Sequence, residues 1–406
     1  LIFLAMPLYA GSVIIGGVQF AAQTLNVQYE VALLFFVAVV ALYVIMGGMK
    51  GVMYTDAFQG GLMFFGMSFL LVWTYVQLGG VGEAHKALTE MAPEAVKVFG
   101  AQGHTGWTSM PTAFSPFWWQ LVSTIVIGVG IGVLAQPQLT VRFMTVKSGR
   151  ELNRAVVIGG VFIFMMTGVA FTVGALSNVY FMKTMGKIAL LAVEKKTDNI
   201  IPLFIDKAMP AWFVPFFFVT LLAAAMSTLS AQFHTMGTAF GRDVLEKGLR
   251  VKSKNPVAVS RAAMGAGIIL STLIAYGLPK FYAGGTAIIA TGTAIFFGMC
   301  AAAFLPLYVG ALYAKRASKQ AAIACFVSGV AVSLFWLFFV HAKEAVPLGL
   351  CMALFGQKTL IPSMANVDPI IVSLPVSTLV YMGVSFFTPP VTEKVTDIAF
   401  KGIQNA

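Results

Sequence analysis

Charge is what this sequence has least of. Only 10% of its 406 residues are Asp, Glu, Lys or Arg, and the acids number just 15. A water-soluble domain carries roughly a quarter charged residues, so a soluble fold of this length is excluded. Cysteine is nearly absent too. Cys300, Cys325 and Cys351 are too few for a disulfide framework, and two of them lie in apolar runs. No zinc-protease, nucleophile-elbow or phosphate-loop motif occurs, which removes the common hydrolase and nucleotide-binding classes. There is no soluble domain and no low-complexity tract. The chain opens at Leu1 inside an apolar run, without Met or a basic leader. That reads as a chain beginning mid-protein rather than as a signal peptide.

What is present is apolar sequence: 59% hydrophobic residues and a mean hydropathy of +0.87. This composition fits an all-α polytopic membrane protein. Ten segments are long enough to span, near 3–24, 29–48, 54–78, 117–137, 155–178, 211–236, 258–278, 285–313, 320–341 and 369–388. Val346–Phe355 is apolar but too short. In the long 79–115 loop, Ala84, Ala87, Leu88 and Met91 recur at helical spacing, which predicts a surface helix over 82–98. In the 182–210 loop Ile188, Leu191 and Ala192 are expected to face one way.

The net charge of +11 belongs to loops. Lys50, Arg142, Lys147, Arg150, Arg154, Arg242, Lys247, Arg250, Lys252, Lys254, Arg261, Lys315, Arg316, Lys319 and the C-terminal tail fall on one side of the ten spans. Every arginine is among them, so that side is expected to be cytoplasmic, with both chain ends on it, in a plasma membrane. The excess of positive charge sets orientation and implies no nucleic-acid partner.

The chain is organised around Ala223-Ala224-Ala225-Met226-Ser227-Thr228-Leu229-Ser230, inside an uncharged helix running from near Trp212 to Arg242-Asp243. A hydroxyl in lipid turns to the carbonyl three or four residues back, which brings Ser227 to the carbonyls of Ala223 and Ala224. Two hydroxyls and a carbonyl on adjoining turns make half an oxygen shell for a small hard cation, and the alanines let another helix approach. The competing reading is back-bonding alone. His234, two turns further on, reads as a packed hydrogen-bonding residue or a proton carrier. Asp56 precedes a long apolar run. It reads as a helix N-cap, as a surface pair with Lys50, or as an ion-handling carboxylate. Gln136 and Gln138 offer amides to a solute, or else line a vestibule or cap a helix end near Pro137.

Four stretches resemble the sodium/solute symporter family. They are Gly47-Gly48-Met49-Lys50-Gly51-Val52-Met53-Tyr54-Thr55-Asp56-Ala57-Phe58-Gln59; Ala223–Ser230 followed by Arg242-Asp243; Gln136-Pro137-Gln138 continuing to Val141-Arg142-Phe143-Met144; and Pro306-Leu307-Tyr308-Val309-Gly310 leading to Lys315-Arg316. They span most of the chain in the family's order, with Tyr54 where the family usually has Trp. The resemblance implies a LeuT-like core of two inverted five-helix repeats with ligands bound at mid-membrane. As a single transporter domain over 1–406, residues 1–78 would be the last three helices of the first repeat, 117–313 the second repeat and 320–388 two extra helices. Three helices are then expected ahead of Leu1, one of them broken and contributing to the main sodium site.

The same resemblance implies sodium (Na+) as coupling ion, held by the Ala224 carbonyl and the Ser227 and Thr228 hydroxyls. The family's second sodium site maps onto Asp56, Ser227, Ser230 and position 231, where Ala231 lacks a hydroxyl. The implied function is sodium-coupled import of a small organic solute such as an amino acid, a monocarboxylate or pantothenate; no enzyme activity is implied. The helix at 155–178 lacks the lysine of sugar-transporting members, and 3–24 has no arginine for an acidic sugar. A proton-coupled carrier using His234 or Asp56, and a transporter-like membrane sensor, are the alternatives.

Overall fold

The computed structural model describes residues 1–143, 145–251, 255–281, 288–314 and 316–392; at Met49, Lys50, Phe281 and 288–291 it describes the backbone only. Lys252, Lys254, Lys315, the side chain of Lys50, the first residues of the expected 285–313 span and the tail beyond 392 therefore lie outside the described residues. Among the described residues ten helices are long and apolar enough to cross a membrane: α1 (Ile2–Leu25), α2 (Tyr29–Gly48), α3 (Gly51–Leu78), α4 (Pro116–Ala135), α5 (Gly149–Met185), α6 (Phe213–Gly248), α7 (Pro256–Lys280), α8 (Gly292–Tyr313), α9 (Lys319–Phe339) and α10 (Ile370–Phe387). All are helical for one reason: in lipid the backbone has to satisfy its own hydrogen bonds, and a helix does so within one segment.

Several boundaries differ from expectation. No loop separates α2 from α3; the helix runs through and kinks at Gly48 (φ 60°, ψ 178°), a backbone state open to glycine alone. Across this kink Tyr43 Oη and Thr55 Oγ1 hydrogen-bond at 2.9 Å, and Thr55 Oγ1 also bonds the carbonyls of Gly51 and Val52. α5 has 37 residues, about 55 Å at 1.5 Å per residue, well beyond a hydrocarbon core of ~30 Å, so its ends project. α6 extends past 236 to Gly248, its last ten residues wound as a π-helix.

The chain divides into two compact units, Leu1–Met110 with Val141–Thr293, and Pro111–Thr140 with Ala294–Ala406. In the first unit α6 is central, packed on α1, α7 and the α2–α3 helix. Close approach to α3 depends on Gly66, where an added Cβ would lie 2.6 Å from Thr220 Oγ1. One end of this unit holds an aromatic core in which Phe20, Phe181, Phe204, Phe213 and Phe217 are buried. The 79–115 segment folds as two short helices, Val81–Glu90 and Ala92–Phe99, rather than one. Ala84, Leu88 and Met91 bury their predicted face against Leu176, Val179 and Ile188. The expected face in 182–210 is only partly formed. Ile188 is buried, but Leu191 points outward because its helix, Ala189–Ala192, is a single turn.

In the second unit α9 and α10 pack along their length. The Ser318 side chain caps α9 by accepting the Ala321 N–H at 3.1 Å. Arg316 donates to the Ser385 and Phe386 carbonyls, satisfying acceptors that the end of α10 leaves open. The apolar run 346–355 forms parts of two short helices, Ala342–Leu348 and Leu350–Phe355.

Candidate functional site

The α6 hydroxyls converge on one carbonyl. Ser227 Oγ and Thr228 Oγ1 each donate to Ala224 O at 3.0 Å. Their spacings of three and four residues bring both side chains back over the preceding turn. Of the two carbonyls expected beside Ser227, only that of Ala224 is bonded. Each hydroxyl keeps lone pairs after donating its proton, so the three oxygens form a compact group of hard donors. All three residues are partly exposed, whereas Ala223, Ala225 and Leu229 on the same helix are buried. The oxygens thus lie on an accessible face of a helix whose other side is packed.

Asp56 stands against the same helix. Ser230 Oγ donates to the Ser227 carbonyl at 3.0 Å and reaches Asp56 Oδ1 at 3.4 Å. The other carboxylate oxygen, Oδ2, accepts from Arg142 Nη2 at 2.6 Å. The Asp56 side chain is 13% exposed and that of Arg142 37%, so the pair is sheltered on its acidic side. The N-cap expectation for Asp56 is therefore corrected: it lies in the second turn of α3, where the intrahelical ladder already uses the backbone N–H groups. Its partner is Arg142 from another part of the chain. Sequence reading used Arg142 as a marker of membrane side and as part of a family-like stretch, and gave it no partner. His234 is buried, and Arg142 interacts with it electrostatically as well.

Gln136 belongs to the second unit. It is extended (φ −71°, ψ 125°) between α4 and the short helix Pro137–Phe143, because a residue before proline is pushed out of the helical region. Gln138 Nε2 donates to Gln136 Oε1; Gln136 Nε2 and Gln138 Oε1, both buried, have no protein partner. A second group that sequence reading missed lies in the same unit. His341, Glu344 and Asp368 are 7%, 5% and 5% exposed. Only the three-residue spacing of His341 and Glu344 was visible in advance. No group of three or more His, Cys, Asp or Glu positioned for a metal ion occurs among the described residues.

Packed apolar helices, a kinked entry to α3 and an oxygen cluster on α6 define a polytopic helical membrane protein. The architecture matches a Na+-coupled sialic acid symporter solved in a substrate-bound outward-open state. The TM-score is 0.66 over 96% of this chain and 74% of that one, at 18% identity, and the fold is LeuT-like. The chain belongs to the Sodium:solute symporter family, whose profile matches residues 1–329. It is similar to the sodium/pantothenate symporter of Haemophilus influenzae (28% identical over 316 residues, 78% of this chain and 60% of that protein). It is also similar to sodium/proline symporter 2 of Staphylococcus saprophyticus (26% over 371 residues, 89% and 65%). A third relative is the high-affinity proline transporter PutP of Bacillus subtilis (26% over 324 residues, 79% and 62%). The chain spans less than two thirds of the length of each of these relatives.

Proposed function

We propose that the protein imports a small organic solute together with sodium, and that sodium is held by Ala224 O, Ser227 Oγ and Thr228 Oγ1. The observation that carries this reading is the convergence of three hard oxygen donors on the accessible face of α6 in a member of a sodium-coupled family. Residues 1–78 are assigned to the last three helices of the first repeat, 117–313 to the second repeat and 320–388 to two extra helices. The arginine-rich loops are assigned to the cytoplasm.

Sodium entry stabilises the solute-capturing state, and the membrane potential contributes about 2.3 kcal/mol per charge per 100 mV. One ion is proposed. At the second position Ala231 supplies no hydroxyl, and Arg142 already brings a positive charge to Asp56. Sodium leaving past Ser230 meets Asp56 Oδ1, while the guanidinium of Arg142 stays on Oδ2 and lowers the attraction of the carboxylate for a second cation. Gln136, with an unpaired buried amide, is the candidate solute contact in the second unit.

The relatives favour proline or pantothenate as solute. The test is uptake of labelled proline and labelled pantothenate by the intact protein in proteoliposomes, under an inward sodium gradient and under an inward proton gradient. Sodium-driven accumulation supports the proposal. Accumulation that follows only the proton gradient replaces it with a proton-coupled carrier.

A further inference from the structure

The His341–Glu344–Asp368 group lies where the 340–369 segment folds over the end of α9. Trp336 Nε1 donates to the Val367 carbonyl at 2.9 Å, Ala342 N to Ala365 O at 2.8 Å and Leu360 N to Phe339 O at 2.8 Å, so the segment is strapped to the helix end. His341 stands at the N-cap of Ala342–Leu348, and its Nδ1 is hydrogen-bonded to Glu344 Oε2. Asp368 lies on the other side of the strap. Its backbone N–H donates to Ser123 Oγ at 3.2 Å, and its Oδ1 accepts the Ile370 N–H at 3.1 Å. Gly298 and Gly128 lie beside it: a Cβ on either would meet a carboxylate oxygen at 3.6 or 3.9 Å, an ordinary contact.

The charges around it are few. Lys343, beside His341, is the remaining charged group acting on the imidazole. α4, α8 and α10 carry no Asp, Glu, Lys, Arg or His among their described residues, and α9 carries only Lys319 at its far end. Cys300 on α8 and Cys351 on Leu350–Phe355 are buried free thiols. His341 and Glu344 are hydrogen-bonded to each other. Asp368 is then left with a buried negative charge and no cation of its own. Two residues away, Asn366 is exposed, so water reaches the strap.

We propose that His341, Glu344 and Asp368 form a proton-binding site, in which the hydrogen-bonded His341–Glu344 pair holds one proton and Asp368 takes up another from the water bathing the 340–369 segment. Uptake neutralises the one uncompensated charge. It also turns the charged acceptor of the Ile370 N–H into a neutral carboxyl, so the hold of the strap on the start of α10 follows pH. Burial pushes Asp368 up to about 6, against the hydrogen bond from Ile370, the charge of His341 and the hydrogen bond from Thr124. Burial opposes the charge on His341, but the hydrogen bond and charge of Glu344, with the charge of Asp368, raise it above the ordinary histidine value. Because the folded protein binds these protons more tightly than the unfolded chain, their contribution to overall stability is present in acid and is lost as pH rises through about 6, while the Ile370 bond to the carboxylate is stronger once the proton has left.

The test is infrared difference spectroscopy of the intact protein in lipid, titrated from about pH 8 to about pH 5, a range that brackets the buried group while an ordinary carboxyl titrates near 4. A protonated-carboxyl band with a midpoint near 6 should appear and be missing in Asp368→Asn. His341→Gln removes the neighbouring positive charge and should move the midpoint upward by about half a unit or more. A band that persists in Asp368→Asn, or a midpoint unmoved in His341→Gln, overturns the proposal. If Asp368→Asn does not fold, the His341→Gln titration decides alone. The readout requires no transport, so it stands or falls independently of sodium coupling.

Discussion

Arg142 Nη2 donates to Asp56 Oδ2 across 2.6 Å, although the two residues are 86 positions apart. Asp56→Asn should weaken sodium dependence more than Asp56→Glu, because Asn leaves the guanidinium without a counter-charge beside the proposed exit path. Arg142→Gln should cost roughly 1–3 kcal/mol of stability, below the 3–5 of a fully buried pair, since the guanidinium side chain is 37% exposed. Asp56→Asn combined with Arg142→Gln should recover part of that loss. Thermal unfolding and sodium-dependent uptake, arranged as a double-mutant cycle, measure both effects. Strictly additive single-mutant losses would show that the contact carries no coupling.

Ser227→Ala and Thr228→Ala each delete one proposed ligand oxygen. A hydrogen-bond-like contact to a charged group is worth about 1.5–3 kcal/mol, so the sodium concentration for half-maximal uptake should rise by roughly tenfold or more in each. Solute affinity should fall in parallel, because coupling between two ligands is reciprocal. Unchanged sodium dependence in both variants at equal expression would remove the site from α6.

Gly66→Ala drives a methyl against Thr220, with Cβ 2.6 Å from Oγ1. Overpacking of this kind costs about 1–3 kcal/mol. Thr220→Ala in the same chain should restore most of the lost melting temperature. Equal loss in the single and double variants would place the strain elsewhere.

His104 accepts the Gly106 N–H at Nδ1 (3.1 Å) and packs its ring against Phe99 and Trp107. Burial lowers its affinity for a proton relative to the unfolded chain. Its contribution to stability is therefore present above the unfolded pKa of about 6.5 and is lost as pH falls below it. Hydrogen exchange over 99–110 should quicken in acid, after correction for intrinsic rates, and His104→Gln should flatten that response. A wild-type rate that ignores pH between about 7 and 5 would contradict it.

The membrane class, the ten spans and the helix carrying Ser227 and Thr228 were legible from sequence, because each rests on local chemistry. A run of about 20 apolar residues has only one economical backbone in lipid, and a helical hydroxyl bonds a carbonyl three or four residues back. The family resemblance was legible too, in short motifs whose order the chain preserves. Tertiary structure decided the partnerships. Asp56 could be read from sequence as a cap, as a partner of Lys50 or as an ion-handling group, and its base comes from 86 positions away. Asp368 carries no signal in the sequence; Ser123 and Gly128 of α4 and Gly298 of α8 lie against it only in the packed structure. Charge and apolar length are properties of a segment and survive in the bare sequence. Burial and pairing are properties of which segments meet, and only the packed helices fix them.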